Sequence, residues 1–338
     1  MIISKEEIHV LLNEFVVRGI REARIEYPPF QIPLFTLNLE NFKVENLLTQ
    51  GDMDNARKKY AKGEFLRRDL PDYYDLLDSF LSSSIVDFEN EDEIREEFKI
   101  LRESMKNKKV YIRPVFIGID TNIAYYRVVS RRLGKEFEYV ISQIVVDEVD
   151  ARIHTKYTGK MLYHFESLPY HSILHEFANG SVKESRKAKN AMNEIYYLFD
   201  VLDALRTGES TDTRDKEIRD REIAKQYGEF AENFHGEVVL ITADKDMVFH
   251  AQAQGLSSIY YKLPHRINVD SVDPLKISNL FYDMITNFGI LKINDTVILA
   301  EWRGKEVDDY LNERMKIYNV DEYLTREIRV CRGVIDEL

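Results

Sequence analysis

The 338-residue sequence holds one cysteine, one tryptophan, eight prolines and fourteen glycines. A lone Cys331 excludes an intramolecular disulfide and a cysteine-rich zinc site, and it fits a reducing, cytoplasmic compartment. Hydrophobic runs of the roughly 18–20 residues that a membrane span needs are absent, so no membrane partner is expected. The opening residues, Met1 to Phe15, have amphipathic helical spacing rather than the apolar core of a secretory signal. Basic side chains are the minority, 47 against 59 acidic ones, giving a formal net charge of −12. That balance excludes a protein that coats nucleic acid by bulk charge. Only six glutamines accompany the single cysteine, a composition with a thermophilic flavour. What is present is a globular composition, 44% hydrophobic and 31% charged, long enough for about two domains.

The hydrophobic pattern divides the chain into three segments. Residues 1–108 read as a mainly helical domain, with Ile8, Leu11, Leu12, Phe15 and Val16 at helical spacing and Tyr73, Leu76, Leu77, Phe80 and Leu81 repeating it. Tyr27-Pro28-Pro29-Phe30 and Ile32-Pro33-Leu34 read as an extended link between them. Polar Asn107-Lys108-Lys109 marks a boundary. From there, 109–275 alternate strands and helices: buried runs Val115–Ile119 and Val238–Thr242, a weaker strand at Glu136–Ile141, and helices from Val145, around Ile195–Leu205 and over Ile223–Phe234. Such alternation predicts an α/β domain on a parallel sheet. Residues 276–338 read as a small α+β extension, with a helix at Ile277–Ile285, a strand at Asp295–Trp302 and a charged helix at Lys305–Ile317.

Both buried runs end in a carboxylate, Ile119-Asp120-Thr121-Asn122 and Thr242-Ala243-Asp244-Lys245-Asp246. Ligands of open parallel sheets bind beyond the carboxyl ends of the strands, where two such aspartates on neighbouring strands would face one crevice. Val145, Val149 and Ile153 form the packed stripe of the intervening helix and put Glu148 at its edge, with Asp147 turned more toward solvent. Among the acids of 212–222, Asp220 lies at the head of the stripe Ile223, Ala224 and Tyr227, with Asp215 in reserve should the helix begin later. Four carboxylates without thiolates or clustered imidazoles form a hard-oxygen site suited to Mg²⁺ or Mn²⁺. Two such ions about 3.5–4 Å apart can activate water and stabilise the leaving oxygen of a phosphodiester.

These acidic motifs, in this order over about residues 110–275, resemble the PIN-domain family. The resemblance implies an α/β/α sandwich around a parallel sheet and a metal-dependent endoribonuclease that cleaves RNA by metal-activated water, leaving 5′-phosphate and 3′-hydroxyl ends. It carries Asp120, Glu148, Asp220 and Asp244 over as catalytic metal ligands, Asp246 as a further acid, and Asn122 and Thr242 as small polar supports. About 70 residues separate Glu148 from Asp220, a longer interval than in compact members. Members of the family often pair, so a homo-oligomer is expected.

Basic residues cluster locally despite the net charge. Arg57, Lys58 and Lys59, followed by Lys62, Arg67 and Arg68, alternate with Tyr60 and Phe65, a pattern suited either to single-stranded RNA or to a solvated helix face. Arg127, Arg131, Arg132 and Lys135 follow Asp120 closely and are candidates to guide a phosphate backbone, and Lys183, Arg186, Lys187 and Lys189 form a third group. His171 and His175 stand at i, i+4 but lack zinc-protease spacing, and they read as packing residues. Rival readings are a Mg²⁺-dependent phosphatase of the haloacid dehalogenase class, a DNA flap-type nuclease and a non-catalytic RNA-binding or assembly protein. The phosphatase needs an aspartate where Asn122 stands.

Overall fold

The computed structural model describes residues 1–106, 113–213, 215–300 and 309–336, so the boundary expected at Asn107–Lys109 lies outside the described residues. Twelve strands occur among them: β1 Ile2–Ser4, β2 Glu22–Tyr27, β3 Ile32–Asn38, β4 Val44–Glu45, β5 Val115–Ile119, β6 Glu138–Ser142, β7 Leu205–Thr207, β8 Glu237–Thr242, β9 Ser257–Tyr260, β10 Ile290–Ile293, β11 Thr296–Ala300 and β12 Arg314–Tyr318. The chain forms two compact units. One comprises Met1–Val86, His154–Lys187 and Ile267–Leu338, and the other Asp87–Ile153 and Ala188–Arg266. Among the described residues no helix is long and apolar enough to cross a membrane.

The first unit is built on a seven-stranded sheet in the order β1-β12-β11-β10-β2-β3-β4, antiparallel throughout. Helix predominates in residues 1–106, yet four strands from this segment join three from the C-terminal one. Tyr27 to Pro33, expected as an extended link, is the end of β2, a single 3₁₀ turn at Pro28–Phe30 and the start of β3. β2 alternates its buried positions, Ala23, Ile25 and Tyr27, with more exposed charged ones. That period of two is the mark of a sheet with one wet face. The charged helix expected at 305–317 is overturned over its last residues: Arg314–Tyr318 is β12, because Met315 and Ile317 alternate inward while Arg314 and Lys316 do not. Residues 305–308 of that expectation, and the last two of the expected strand at 295–302, lie outside the described residues.

Helix Ile277–Phe288 is buried at every position except Asn279, so its polar side chains need partners inside the unit. Asp283 accepts a hydrogen bond from the Ser82 hydroxyl at 2.9 Å, and the Asn287 amide donates to the Asp75 carbonyl at 3.0 Å and to Ser79 Oγ at 2.8 Å. Arg186 is only 2% exposed and donates to the carbonyls of Thr286 and Ser181, both at 2.9 Å. Lys183 and Lys187 pair with Asp75 at 2.8 and 3.1 Å, and Lys187 also reaches Asp78 at 2.9 Å. Of the third basic group, Arg186 is therefore held in the interior by carbonyls, and the half-buried Lys183 and Lys187 are held by carboxylates.

The second unit is a five-stranded parallel sheet in the order β7-β6-β5-β8-β9. β5 is buried at all five positions and β8 at five of six, so these central strands are covered on both faces. The chain starts at the centre with β5, moves outward through β6 and β7, and returns to β8 on the other side of β5. The order therefore reverses between β5 and β8, and a crevice opens at the carboxyl ends of those two strands.

Tyr227, on helix Lys216–Asn233, locks that end of the sheet. Its buried hydroxyl donates to the carbonyl of Ile119 at 2.6 Å and accepts from the N–H of Ser142 at 3.1 Å, joining the last residues of β5 and β6. Burial drives its phenol well above its ordinary range, so it stays a neutral donor. The ring needs room on β5, which Gly118 provides: a Cβ there would lie 3.1 Å from Tyr227 Cε1 and 3.1 Å from Val238 Cγ1. Removing only the hydroxyl, by Tyr227→Phe, leaves a buried carbonyl and a buried N–H short of a partner. We expect it to lower stability by about 1–3 kcal/mol in chemical denaturation, whereas an unchanged midpoint would show that the bridge is dispensable.

Candidate active site

Each of the four singled-out acids is delivered to this crevice by a strand end or by a helix. Asp120 follows β5 and caps helix Thr121–Tyr125, Glu148 lies on helix Gln143–Asp150, Asp220 on the first turns of helix Lys216–Asn233, and Asp244 follows β8 and caps helix Lys245–Ala253. Asp120 and Asp220 are 4% and 7% exposed. Glu148 is nearly as enclosed, and Asp244 is the most open of the set.

Asp120 is the most constrained. One carboxylate oxygen accepts the Thr121 N–H at 2.6 Å, and the other accepts the Thr242 hydroxyl at 2.8 Å and the Asn122 amide at 3.1 Å. Thr242 Oγ1 also accepts the N–H of Asp244 at 2.9 Å, tying the end of β8 to the Asp120 carboxylate. Asn122 and Thr242 thus both touch Asp120 directly. Glu148 accepts the Thr121 hydroxyl at 2.5 Å, a contact for which only the Asp-Thr-Asn sequence offered a hint. Asp215 bonds the N–H of Ile218 at 3.3 Å as the helix cap, while Asp220 turns toward the other carboxylates. Asp147 is engaged by the Gln143 amide at 2.7 Å. Asp246 is exposed, and it meets Asp244 through its backbone N–H at 2.9 Å.

Two cations that the sequence reading passed over stand among these acids. Lys216 Nζ is 2.7 Å from Asp244 and 3.7 Å from Asp220, and Arg219 Nε is 3.0 Å from Glu148, an ion pair without an aligned hydrogen bond. Residues 216, 219, 220 and 223 share one helix face at i, i+3, i+4 and i+7, so Lys216 at i−4 from Asp220 was readable from spacing. His250 adds an electrostatic contribution at Asp220 and Asp244.

The fields of these groups are interlocked. Burial pushes the Asp120 carboxyl up to about 6, opposed by its hydrogen bonds from Thr242 and Thr121 and reinforced by the charge of Asp220. Asp220 is raised by burial, with Lys216 opposing and Glu148 and Asp244 adding to the rise. Asp244 goes the other way: burial would raise it, but the Lys216 ammonium and the Asp246 N–H together hold it below its ordinary value. Lys216 is raised by its bond to Asp244, and the charges of Asp220 and Asp120 add to this.

Among the described residues, no three aspartate, glutamate, histidine or cysteine side chains are gathered at liganding distance. Lys216 and Arg219 stand among the carboxylates instead. The donor chemistry nevertheless fits a hard divalent cation. All four acids offer oxygen, they outnumber the two adjacent cations, and the buried Asp120 is bonded only by neutral donors among the described residues.

The basic candidates are placed differently. Arg57 donates to the carbonyls of Arg67, Leu70 and Pro71 at 2.6–2.7 Å, closing the helix Glu64–Asp69, whereas Lys58 and Lys59 are exposed. Lys59 lies over the Tyr60 ring, which stacks on Phe30. These residues belong to the first unit. In the second, Arg127 is buried, bonds Asn190 at 3.2 Å and faces Glu194. Arg131 is half-buried and also acts on Glu194, and Arg132 pairs with Asp87 at 2.9 Å and Glu91 at 3.3 Å. Arg127 and Arg132 therefore serve the packing of this unit in the structure.

The Asp120 carboxyl has a stability consequence. A folded-state value near 6 against an ordinary 3.8 means that the native state holds this proton more tightly than the unfolded chain. Its ionisation therefore costs stability as pH rises from about 4 to about 6, on the order of 2–3 kcal/mol when complete. In EDTA at pH 7.5, Asp120→Asn should be more stable than the parent by a large part of that amount, and the advantage should vanish near pH 4. Denaturant unfolding at the two pH values checks it, and equal stability at pH 7.5 would contradict it.

Comparison with known proteins bears on the same segment. No curated protein matches the chain. The model of one family, the PIN domain, matches residues 117–262, an interval that opens within β5, closes just after β9 and contains all four acids. Residues 117–262 thus match the PIN-domain family, whose fold is of a nuclease type that is generally metal-dependent.

Proposed function

We propose that this protein is a Mg²⁺- or Mn²⁺-dependent endoribonuclease acting on single-stranded RNA, with Asp120, Glu148, Asp220 and Asp244 as its cation-binding residues. The observation that carries the reading is the arrival of four carboxylates, from four different elements, at the carboxyl ends of β5 and β8. Burial, with the neighbouring negative charges adding to it, raises the Asp120 and Asp220 carboxyls, and acids held in this way are costly without a cation to bind.

Each residue has a separable task. Asp120 is fixed at both oxygens by Thr121, Asn122 and Thr242, so it presents its remaining lone pairs in one orientation. Thr121 orients Glu148 in turn. Asp220 and Asp244 close the opposite side, Asp244 with the greater access to solvent and substrate. A divalent cation bound by these groups would supply Lewis-acid polarisation of water and of a phosphoryl oxygen. Exposed Lys58 and Lys59 beside Tyr60 are the proposed contacts for the phosphates and bases of a single strand. The non-catalytic reading draws on Lys216 and Arg219, which already neutralise part of the acid charge.

Circular single-stranded RNA separates these readings, because only an endonuclease opens a circle. With Mn²⁺ the parent protein should linearise it, EDTA should stop the reaction, and Asp120→Asn should slow it by about a hundredfold or more. Thr242→Ala should raise the Mn²⁺ concentration required by about 10–100-fold. Undiminished cleavage in excess EDTA, or by Asp120→Asn, would reject the proposal. Binding without cleavage would favour the non-catalytic reading, and equal cleavage of circular DNA would reject RNA as the specific substrate.

A further inference from the structure

Lys216 is an unusual occupant for an acidic crevice. Its ammonium sits 2.7 Å from Asp244 and 3.7 Å from Asp220, and it contributes to a field that reaches Asp120. Yet about two-thirds of its side chain is exposed, so four methylene groups can carry the charge out to water without unpacking the core. The partner carboxylates, by contrast, are fixed at strand ends and helix starts. The geometry joins a mobile cation to rigid anions. Arg219, three residues on along the same helix face, is less exposed and holds Glu148 from the side.

We propose that Lys216 is a tethered counter-cation that competes with the divalent ion for Asp244 and Asp220, and so sets the ion concentration at which the site loads. This inference rests on the cation-site reading above. With Lys216 in place, its positive charge offsets the repulsion between Asp244 and Asp220, and the site persists without a metal. A monovalent ion brings no more charge than the ammonium and must also overcome its high local concentration, so it gains nothing by entering. A divalent ion brings twice the charge to carboxylates that are already oriented, and it can displace the side chain into solvent. Lys216 thereby selects for ion valence and keeps the site closed at low divalent-ion concentration.

Mn²⁺ binding to the full chain, followed by the loss of the free-ion paramagnetic resonance signal, tests this without reference to cleavage. The parent, Lys216→Met, Lys216→Arg and Asp120→Asn are compared, with circular dichroism confirming that each is folded. The expected result is that Lys216→Met binds Mn²⁺ about five- to tenfold more tightly than the parent, Lys216→Arg stays close to it, and Asp120→Asn binds weakly. If the parent binds Mn²⁺, Asp120→Asn does not, and Lys216→Met binds no more tightly than the parent, the competition is overturned while the cation site stands. If no variant, nor the parent, binds Mn²⁺ at millimolar concentration, the cation-site reading fails and the competition fails with it.

Discussion

The burial of neighbouring carboxylates at the carboxyl end of β5 and β8 is the constraint to which the rest of the second unit answers. Asp120 and Asp220 are nearly buried, and burial together with neighbouring negative charge raises both. Such an arrangement persists only because the scaffold beneath it is rigid. Gly118 lets the Tyr227 ring lie against β5, Tyr227 bonds the ends of β5 and β6, and Thr242 bonds the end of β8 to Asp120. Each of these contacts uses a neutral donor. Charge compensation is left to two side chains on the neighbouring helix, Lys216 and Arg219.

The two units place their charges under opposite rules. In the first, buried and half-buried charges satisfy one another: Asp75 and Asp78 with Lys183 and Lys187, Arg186 with carbonyls. Burial opposes ionisation of Asp75, but its two lysines hold it well below the usual carboxylate range. In the second unit the buried Asp120 has no such partner among the described residues and is raised instead. A paired interior acid is a fold element, whereas an acid kept uncompensated at stability's expense points to a ligand. That contrast, rather than the count of acids, separates the crevice from the many other carboxylates of an acidic protein.

Much of the α/β unit was legible because its signals are local. Val115–Ile119 and Val238–Thr242 are short, nearly continuous apolar runs typical of a doubly covered strand, followed by Asp120 directly and by Asp244 after one residue. Asp220 followed from helical phase, since the stripe Ile223, Ala224 and Tyr227 fixed the direction of its face. The cations were less legible. A run such as Arg127, Arg131 and Arg132 looks free in sequence, and only tertiary packing reveals Asn190, Glu194, Asp87 and Glu91 as the groups they serve. The antiparallel sheet of the first unit was hidden for a different reason. Its sequence-adjacent pairs, such as β2 with β3 and β10 with β11, are joined into one sheet only by β1 with β12 and β2 with β10, pairings from opposite ends of the chain that no local window contains. The net charge of −12 excluded a basic coat and nothing more, because the acids that matter are concentrated in one crevice.

Locating Mn²⁺ by its anomalous scattering in crystals of the full chain tests this account most directly. The account predicts an ion about 2.1 Å from carboxylate oxygens of Asp120 and Asp244, with the Lys216 ammonium moved away from Asp244. Crystals grown in saturating Mn²⁺ with no ion in the crevice, and with Lys216 still seated on Asp244, would contradict it.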